Sequence, residues 1–217
     1  MAPRFHNRAD AGQALATMLM RYANRPDVLV LALPRGGVPV AYEVAQALKA
    51  PLDVMLVRKL GMPGFDELAV GAIASGAVVI RNHALPNPLG LLDCLVAWLA
   101  TRERPRLEQR EHAYRGSAPR PNLRGKTVIL VDDGLATGTT MRAAIAALRQ
   151  RGPARLVAAV PVAPPEACAA VRAEVDELVC VTTAQPFDAV GQWYADFSQT
   201  TDAQVRDLLA RCTSAKP

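Results

Sequence analysis

The fold of this chain is read most directly from one segment, Val128-Ile129-Leu130-Val131-Asp132-Asp133-Gly134-Leu135-Ala136-Thr137-Gly138-Thr139-Thr140. Its four apolar residues predict a buried strand, and two adjacent carboxylates stand at the carboxyl end of that strand. A Gly/Thr loop then leads into a helix predicted over Met141 to Gln150. This order places an acid pair beside a helix N-terminus.

Such an arrangement suits a ligand with two different ends. The free N–H groups and the dipole of a helix N-terminus favour a phosphate. The carboxylates would repel that phosphate, so they must face another part of the ligand, and a ribose with a 5′-phosphate satisfies both halves. An acid pair can also cap a helix, but Gly134 to Thr140 separate this pair from the helix.

The rest of the chain alternates apolar strands with helices, which predicts an α/β fold with a parallel sheet covered on both faces. Ligands of such sheets bind beyond the carboxyl ends of the strands. The predicted strands are 28–32, 53–57, 128–131, 156–162 and 178–181, with a hairpin of 68–73 and 78–81. The predicted helices are 10–24, 38–49, 89–114, 141–150, 164–173 and 202–211, and Gly61 to Asp66 is predicted as a loop.

The Asp132 segment resembles the motif that binds 5-phosphoribosyl 1-pyrophosphate (PRPP) in type I phosphoribosyltransferases. The resemblance implies a parallel sheet flanked by helices, with a small hood and a helical insert, in a single domain over residues 1–217. We expect the insert at about 82–120 and the hood from the insert and the C-terminal segment 182–217.

The resemblance also implies roles for individual residues. Asp132 and Asp133 would bind the ribose hydroxyls and, through water, Mg²⁺. The 5′-phosphate would be bound by Ala136, Thr137, Gly138, Thr139 and Thr140. The pyrophosphate would be bound by Arg35, Gly36, Gly37, Arg58 and Lys59. Of these residues, Asp132, Asp133, Lys59 and Arg35 are the expected catalytic set.

Two further segments bear on the acceptor and on closure of the site. Phe187 would stack on a nucleobase, with Asp196 as a later acid, although this aromatic segment could instead pack the last helix. Gly61 to Leu68 matches the position of the mobile catalytic loop, and we assign no role to its Asp66 and Glu67. Ala136 stands where enzymes for 6-oxopurines commonly have Asp, which leaves adenine or a non-purine open.

Charge and composition limit the classes of binding partner and the cellular compartment that we expect for this protein. The net charge of +5 is concentrated in arginines between Arg102 and Lys126. A nucleic-acid surface is one interpretation, and attraction of a small polyanionic substrate is another. Interleaved Glu103, Glu108 and Glu111 favour a solvated helix face, so we expect no nucleic-acid partner. The apolar runs are too short for a bilayer, and the scattered cysteines suit a reducing compartment, so we expect a cytoplasmic protein.

The sequence therefore predicts a Mg²⁺-dependent enzyme that joins the phosphoribosyl group of PRPP to a nitrogen nucleophile, a nucleobase in the first instance, with release of pyrophosphate. We further expect a homodimer. One alternative is a regulator that senses PRPP or a nucleotide and binds nucleic acid or protein. Another is a phosphatase or phosphorylase acting on a related sugar phosphate.

Overall fold

The structure, a computed structural model, describes residues 4–82 and 85–214. The side chains of Asp66 and Glu67 lie outside this description. The strands are β1 (Val28–Ala32), β2 (Leu52–Val54), β3 (Val57–Met62), β4 (Phe65–Ala74), β5 (Val78–Arg81), β6 (Thr127–Val131), β7 (Arg155–Ala163) and β8 (Glu177–Thr183). The helices are α1 (Arg8–Leu19), α2 (Gly37–Leu48), α3 (Leu91–Arg115), α4 (Thr139–Gln150), α5 (Pro165–Arg172) and α6 (Asp202–Ser214).

The main sheet is parallel, as predicted, with the strand order β2-β1-β6-β7-β8. Every residue of β1 and β6 is buried, because helices cover both faces of the sheet. Alternate β1 residues serve the two cores: Val30 packs with α1 and α2, and Leu31 packs with α4 and α5. Ala32 pairs with Val131, so the segments that follow β1 and β6 leave the sheet side by side.

A second, antiparallel sheet, β3-β4-β5, corrects two expectations. The predicted strand 53–57 is confirmed as β2 but its end is wrong, since the chain leaves the main sheet after Val54 and enters β3 at Val57. The predicted loop 61–66 is also wrong, because β3 and β4 form a hairpin in which Met62 faces Phe65. Gly64, with φ +81°, supplies the tight turn that this hairpin needs. The predicted hairpin of β4 and β5 is confirmed.

The expected helical insert is the long helix α3, which continues through Pro105 without a break. It packs against the antiparallel sheet and against α6. The arginines of α3 therefore lie close to β3, the strand that contains the predicted site residues Arg58 and Lys59. Over the described ranges, no helix combines the length and apolarity that a membrane span requires.

Candidate functional site

The acid pair after β6 lies directly against the glycine loop after β1. A Cβ atom built on Gly36 would overlap the Asp133 carboxylate, and one on Gly37 would stand 2.8 Å from the Val131 carbonyl oxygen. Neither position has room for a side chain. The Gly37 N–H already donates to the Leu33 carbonyl over 3.1 Å. Gly36 and Gly37 thus allow the loop after β1 to touch the loop after β6. This packing role adds to the predicted one, in which the backbone N–H groups of both glycines approach the pyrophosphate.

The two carboxylates sit in an environment that disfavours negative charge. Burial, reinforced by the charge of Asp133, raises the pKa of Asp132 well above its usual range. Burial also raises the pKa of Asp133, although Arg8 opposes the shift. The Asp133 N–H donates to the Asp132 carboxylate over 2.9 Å, which fixes the orientation of that side chain. Such a pair is stabilised by any group that supplies positive charge or hydroxyl donors.

In the structure this group is Arg8, at the start of α1. Its Nε lies 2.8 Å from Asp133 Oδ2, and its Nη1 donates to the Ser198 carbonyl over 2.7 Å. The guanidinium stacks 3.9 Å from the centre of the Phe197 ring. Tyr194 adds a hydroxyl that donates to the Asp133 carbonyl. The start of α1 and the segment 194–198 therefore close over the acid pair.

The Gly/Thr loop ends in an uncapped helix. Gly138 is the N-cap of α4, has φ +71°, and offers no side chain to the first N–H groups of the helix. By contrast, Asn7 caps α1 by accepting from the N–H groups of Ala9 and Asp10. The hydroxyls of Thr137 and Thr139 lie 2.9 Å apart at the mouth of this loop. Exposed amides and hydroxyls at a helix N-terminus are the donors that a phosphate needs.

The structure separates the basic pair Arg58-Lys59. Both residues lie inside β3, where successive side chains point to opposite faces. Arg58 faces α3 and forms an ion pair with Glu103. Lys59 faces α4 and lines a cleft together with Thr139. Arg58 is thus placed near the glycine loop and Lys59 near the phosphate loop, so the expected role of Lys59 at the pyrophosphate stays a prediction.

The Arg35 side chain extends from the glycine loop towards the start of α6. Its Nη1 lies 3.8 Å from the Asp202 carboxylate at the start of α6. The same oxygen lies 3.8 Å from Nη2 of Arg110 on α3. One carboxylate therefore bridges the expected pyrophosphate loop and the helical insert.

The late aromatic segment packs on the N-terminal segment of the chain. Phe187 stacks on buried Trp193 with ring centroids 6.2 Å apart, and both join a small core that contains Phe5. These contacts favour packing on the N-terminal segment over the alternative of packing on the last helix. Asp196 accepts a hydrogen bond from the Ser198 N–H, which contributes to lowering its pKa. Base stacking by Phe187 stays a prediction, and one face of its ring is already covered.

Sequence reasoning missed Arg8, Tyr194 and Asp202, since no local pattern connects them to the acid pair or to the glycine loop. The residues brought together provide an acid pair, a helix start without a side-chain cap from its N-cap residue and a set of arginines at one edge of the sheet. Chemically, this combination can hold a sugar by its hydroxyls and its phosphate. It can also neutralise a polyanionic group beside the sugar.

Known proteins share this architecture. A profile of the phosphoribosyl transferase domain matches residues 4–192. Curated proteins of two Mycobacterium tuberculosis strains, provisionally named phosphoribosyl transferases, are 42% identical over 207 residues, which are 95% of this chain and 46% of theirs. The chain thus spans about half the length of these curated relatives. A crystal structure of a Thermus thermophilus protein is 42% identical with a TM-score of 0.83, covering 96% of this chain and 98% of that one.

Proposed function

Since the chain belongs to the phosphoribosyl transferase family, we propose that it transfers the phosphoribosyl group of PRPP to a nitrogen nucleophile, with Mg²⁺, and releases pyrophosphate. Its fold is of the type I phosphoribosyltransferase class, with a parallel main sheet and a smaller antiparallel sheet. The edge where the acid pair, the glycine loop and the start of α4 meet would be the active site.

One observation carries the proposal: the acid pair touches the glycine loop on one side and precedes an uncapped helix on the other. A ribose 5-phosphate spanning these features would place its hydroxyls at Asp132 and Asp133. Its phosphate would accept hydrogen bonds from the amides of Ala136 to Thr140. The C1 atom would then face the loop that carries Arg35, where the leaving pyrophosphate develops charge.

Displacement at C1 passes through a cation-like ribosyl state. Once Arg8 and a bound cation offset the burial that raises their pKa values, the two carboxylates would carry negative charge near the sugar and favour this state. The arginines would stabilise the departing anion. The acid pair also fits the oxygen preference of Mg²⁺, which would be held through water by Asp132 and Asp133. When bound, the ion would neutralise pyrophosphate charge.

The acceptor is proposed to be a nucleobase or a similar nitrogen heterocycle. Phe187 supplies an aromatic face, packed on Trp193, in the segment expected to hold the base. Ala136 is exposed and stands where enzymes for 6-oxopurines commonly carry an Asp that acts on the base N7, so the proposal leaves adenine or a non-purine open as the acceptor.

The test measures pyrophosphate release from PRPP after adding a panel of nucleobases, with and without Mg²⁺. We expect release that depends on Mg²⁺ and on one class of acceptor. The double variant Asp132→Asn/Asp133→Asn should lose it, and Asp207→Asn, which removes an exposed carboxylate of α6, should keep it. Equal release by the acid-pair variant and the control would contradict the proposal.

The regulator alternative receives less support from the same structure. Arg115 pairs with Asp53 over 3.0 Å and with Glu111, and Arg120 also pairs with Glu111. These arginines stabilise the packing of α3, so fewer charges remain for nucleic acid. A homodimer and a cytoplasmic location stay predictions, and sedimentation checks the first.

A further inference from the structure

A cluster of arginines joins the helical insert to the glycine loop. Arg35 comes from the loop, Arg58 from β3, and Arg106 and Arg110 from α3. Pro34 and the last three of these residues line a cleft of about 70 Å³. The chain thus gathers guanidinium groups from three separate elements at the side of the glycine loop.

The positive charge of the cluster exceeds the negative charge that faces it. Glu103 pairs with Arg58 and lies 3.5 Å from Arg106. Asp202 lies 3.8 Å from both Arg35 and Arg110, longer than a charge-assisted hydrogen bond. Among the described residues, two carboxylates therefore contact four guanidinium groups, and the contacts of Asp202 with Arg35 and Arg110 are both long. Such an arrangement is poised to take up another anion.

Asp202 holds the position that such an anion would occupy. Its carboxylate accepts from the Tyr114 hydroxyl and lies between Arg35 and Arg110, and these contacts lower its pKa. Tyr114 is buried and is also bonded to Arg110 Nε over 3.1 Å. Since Asp202 itself is half exposed, its carboxylate can turn to solvent, and an incoming anion would then accept the hydrogen bond that the buried Tyr114 hydroxyl now donates to Asp202.

We infer that Arg106 and Arg110 of the insert complete the pyrophosphate site, and that Asp202 is a resident anion which pyrophosphate displaces. This inference rests on the proposed function and assigns the insert to substrate binding. The cleft favours a compact polyanion over a nucleic-acid strand, since it is small and Leu56 and Leu107 line it with the arginines.

Two substitutions should change the pyrophosphate affinity in opposite directions if Arg110 binds the ligand, and in the same direction if Arg110 has only a structural role. Arg110→Gln removes a charged donor and should weaken pyrophosphate binding about tenfold or more. Asp202→Asn removes the competing anion and should tighten binding by about two- to fivefold. If Arg110 only held α6 in place through Asp202, both substitutions would weaken binding.

The experiment is calorimetry of the full chain with pyrophosphate and, separately, with ribose 5-phosphate. Arg104→Gln is the matched control, since it removes the same charge from an exposed position of α3. We expect Arg110→Gln and Arg106→Gln to weaken pyrophosphate alone, Asp202→Asn to tighten it, and the control to leave both ligands unchanged.

Each other outcome overturns the inference. Pyrophosphate binding by Arg110→Gln that equals binding by the control would do so, and so would weaker pyrophosphate binding by Asp202→Asn. Binding of ribose 5-phosphate without pyrophosphate by the unmodified chain would overturn the inference and leave the sugar-phosphate site standing. Binding of neither ligand would overturn the proposed function as well.

Discussion

Replacing Arg8 by Met tests whether Arg8 stabilises the folded protein by neutralising the buried acid pair. The side chains of Arg8 and Asp133 are 12% and 15% exposed, and their closest atoms lie 2.8 Å apart. Removing one partner of a fully buried ion pair costs about 3–5 kcal/mol, and partial exposure reduces this to about 2–3 kcal/mol. For a chain of this size the melting temperature should fall by about 4–12 °C.

The assay is urea unfolding of a double-mutant cycle. With Asp133→Asn already present, Arg8→Met should cost only about 1 kcal/mol, for the lost hydrogen bond to Ser198 and the stacking on Phe197. Arg142→Met serves as a control, because Arg142 pairs with Glu174 over 2.6 Å but is 49% exposed. It should cost less than about 1 kcal/mol.

The pH dependence of Arg8→Met has a definite sign. The folded-state pKa of Asp133 is raised by burial, so its protonated form contributes stability at low pH that is lost as the pH rises through that pKa. Without Arg8 the pKa should rise further. The deficit of the variant should therefore appear as the pH rises through the raised folded-state pKa of Asp133 and grow towards neutrality. An equal cost in both backgrounds, at every pH, would refute the role given to Arg8.

Burial and charge lead to three more expected outcomes. Asp132→Asn should raise the melting temperature of the unliganded protein while removing its response to PRPP, because burial and Asp133 raise the pKa of Asp132; a lower melting temperature would contradict this. Exposed Cys94 should react with a thiol reagent at about pH 8, whereas Cys180 should not, because burial raises the pKa of the Cys180 thiol to about 12; equal labelling by mass spectrometry would contradict this. Binding to mixed RNA and DNA should disappear at near-physiological salt, and sequence-selective binding that survives there would favour the regulator.

The sequence predicted the parallel sheet and the acid pair because both rest on local pattern. The apolar β1 and β6 segments admit few interpretations, and the Gly/Thr loop after Asp133 has a specific spacing. The antiparallel sheet was only partly foreseen, since Gly61 and Gly64 suggested a loop where they form a bulged hairpin. If β3 had been predicted as a strand, Arg58 and Lys59 would have been expected on opposite faces of the sheet, because successive side chains of a strand point to opposite faces.

The remaining site contacts are long-range and carry no local signal. Arg8 and Asp133 are 125 positions apart, and Tyr114 and Asp202 are 88 apart. The reason for Gly36 is likewise visible only in three dimensions, where the Asp133 carboxylate occupies the space that a side chain would need. Pairing across such distances depends on how helices α1, α3 and α6 pack.

The central claim, a PRPP site at the acid pair, is tested most directly by thermal unfolding with PRPP and Mg²⁺. A ligand at about one hundred times its dissociation constant stabilises the folded state by about 2.7 kcal/mol, which here corresponds to a rise of about 5–11 °C in the melting temperature. We predict this rise for the unmodified chain and its loss in Asp132→Asn/Asp133→Asn. No rise, or the same rise in the double variant, would contradict the account.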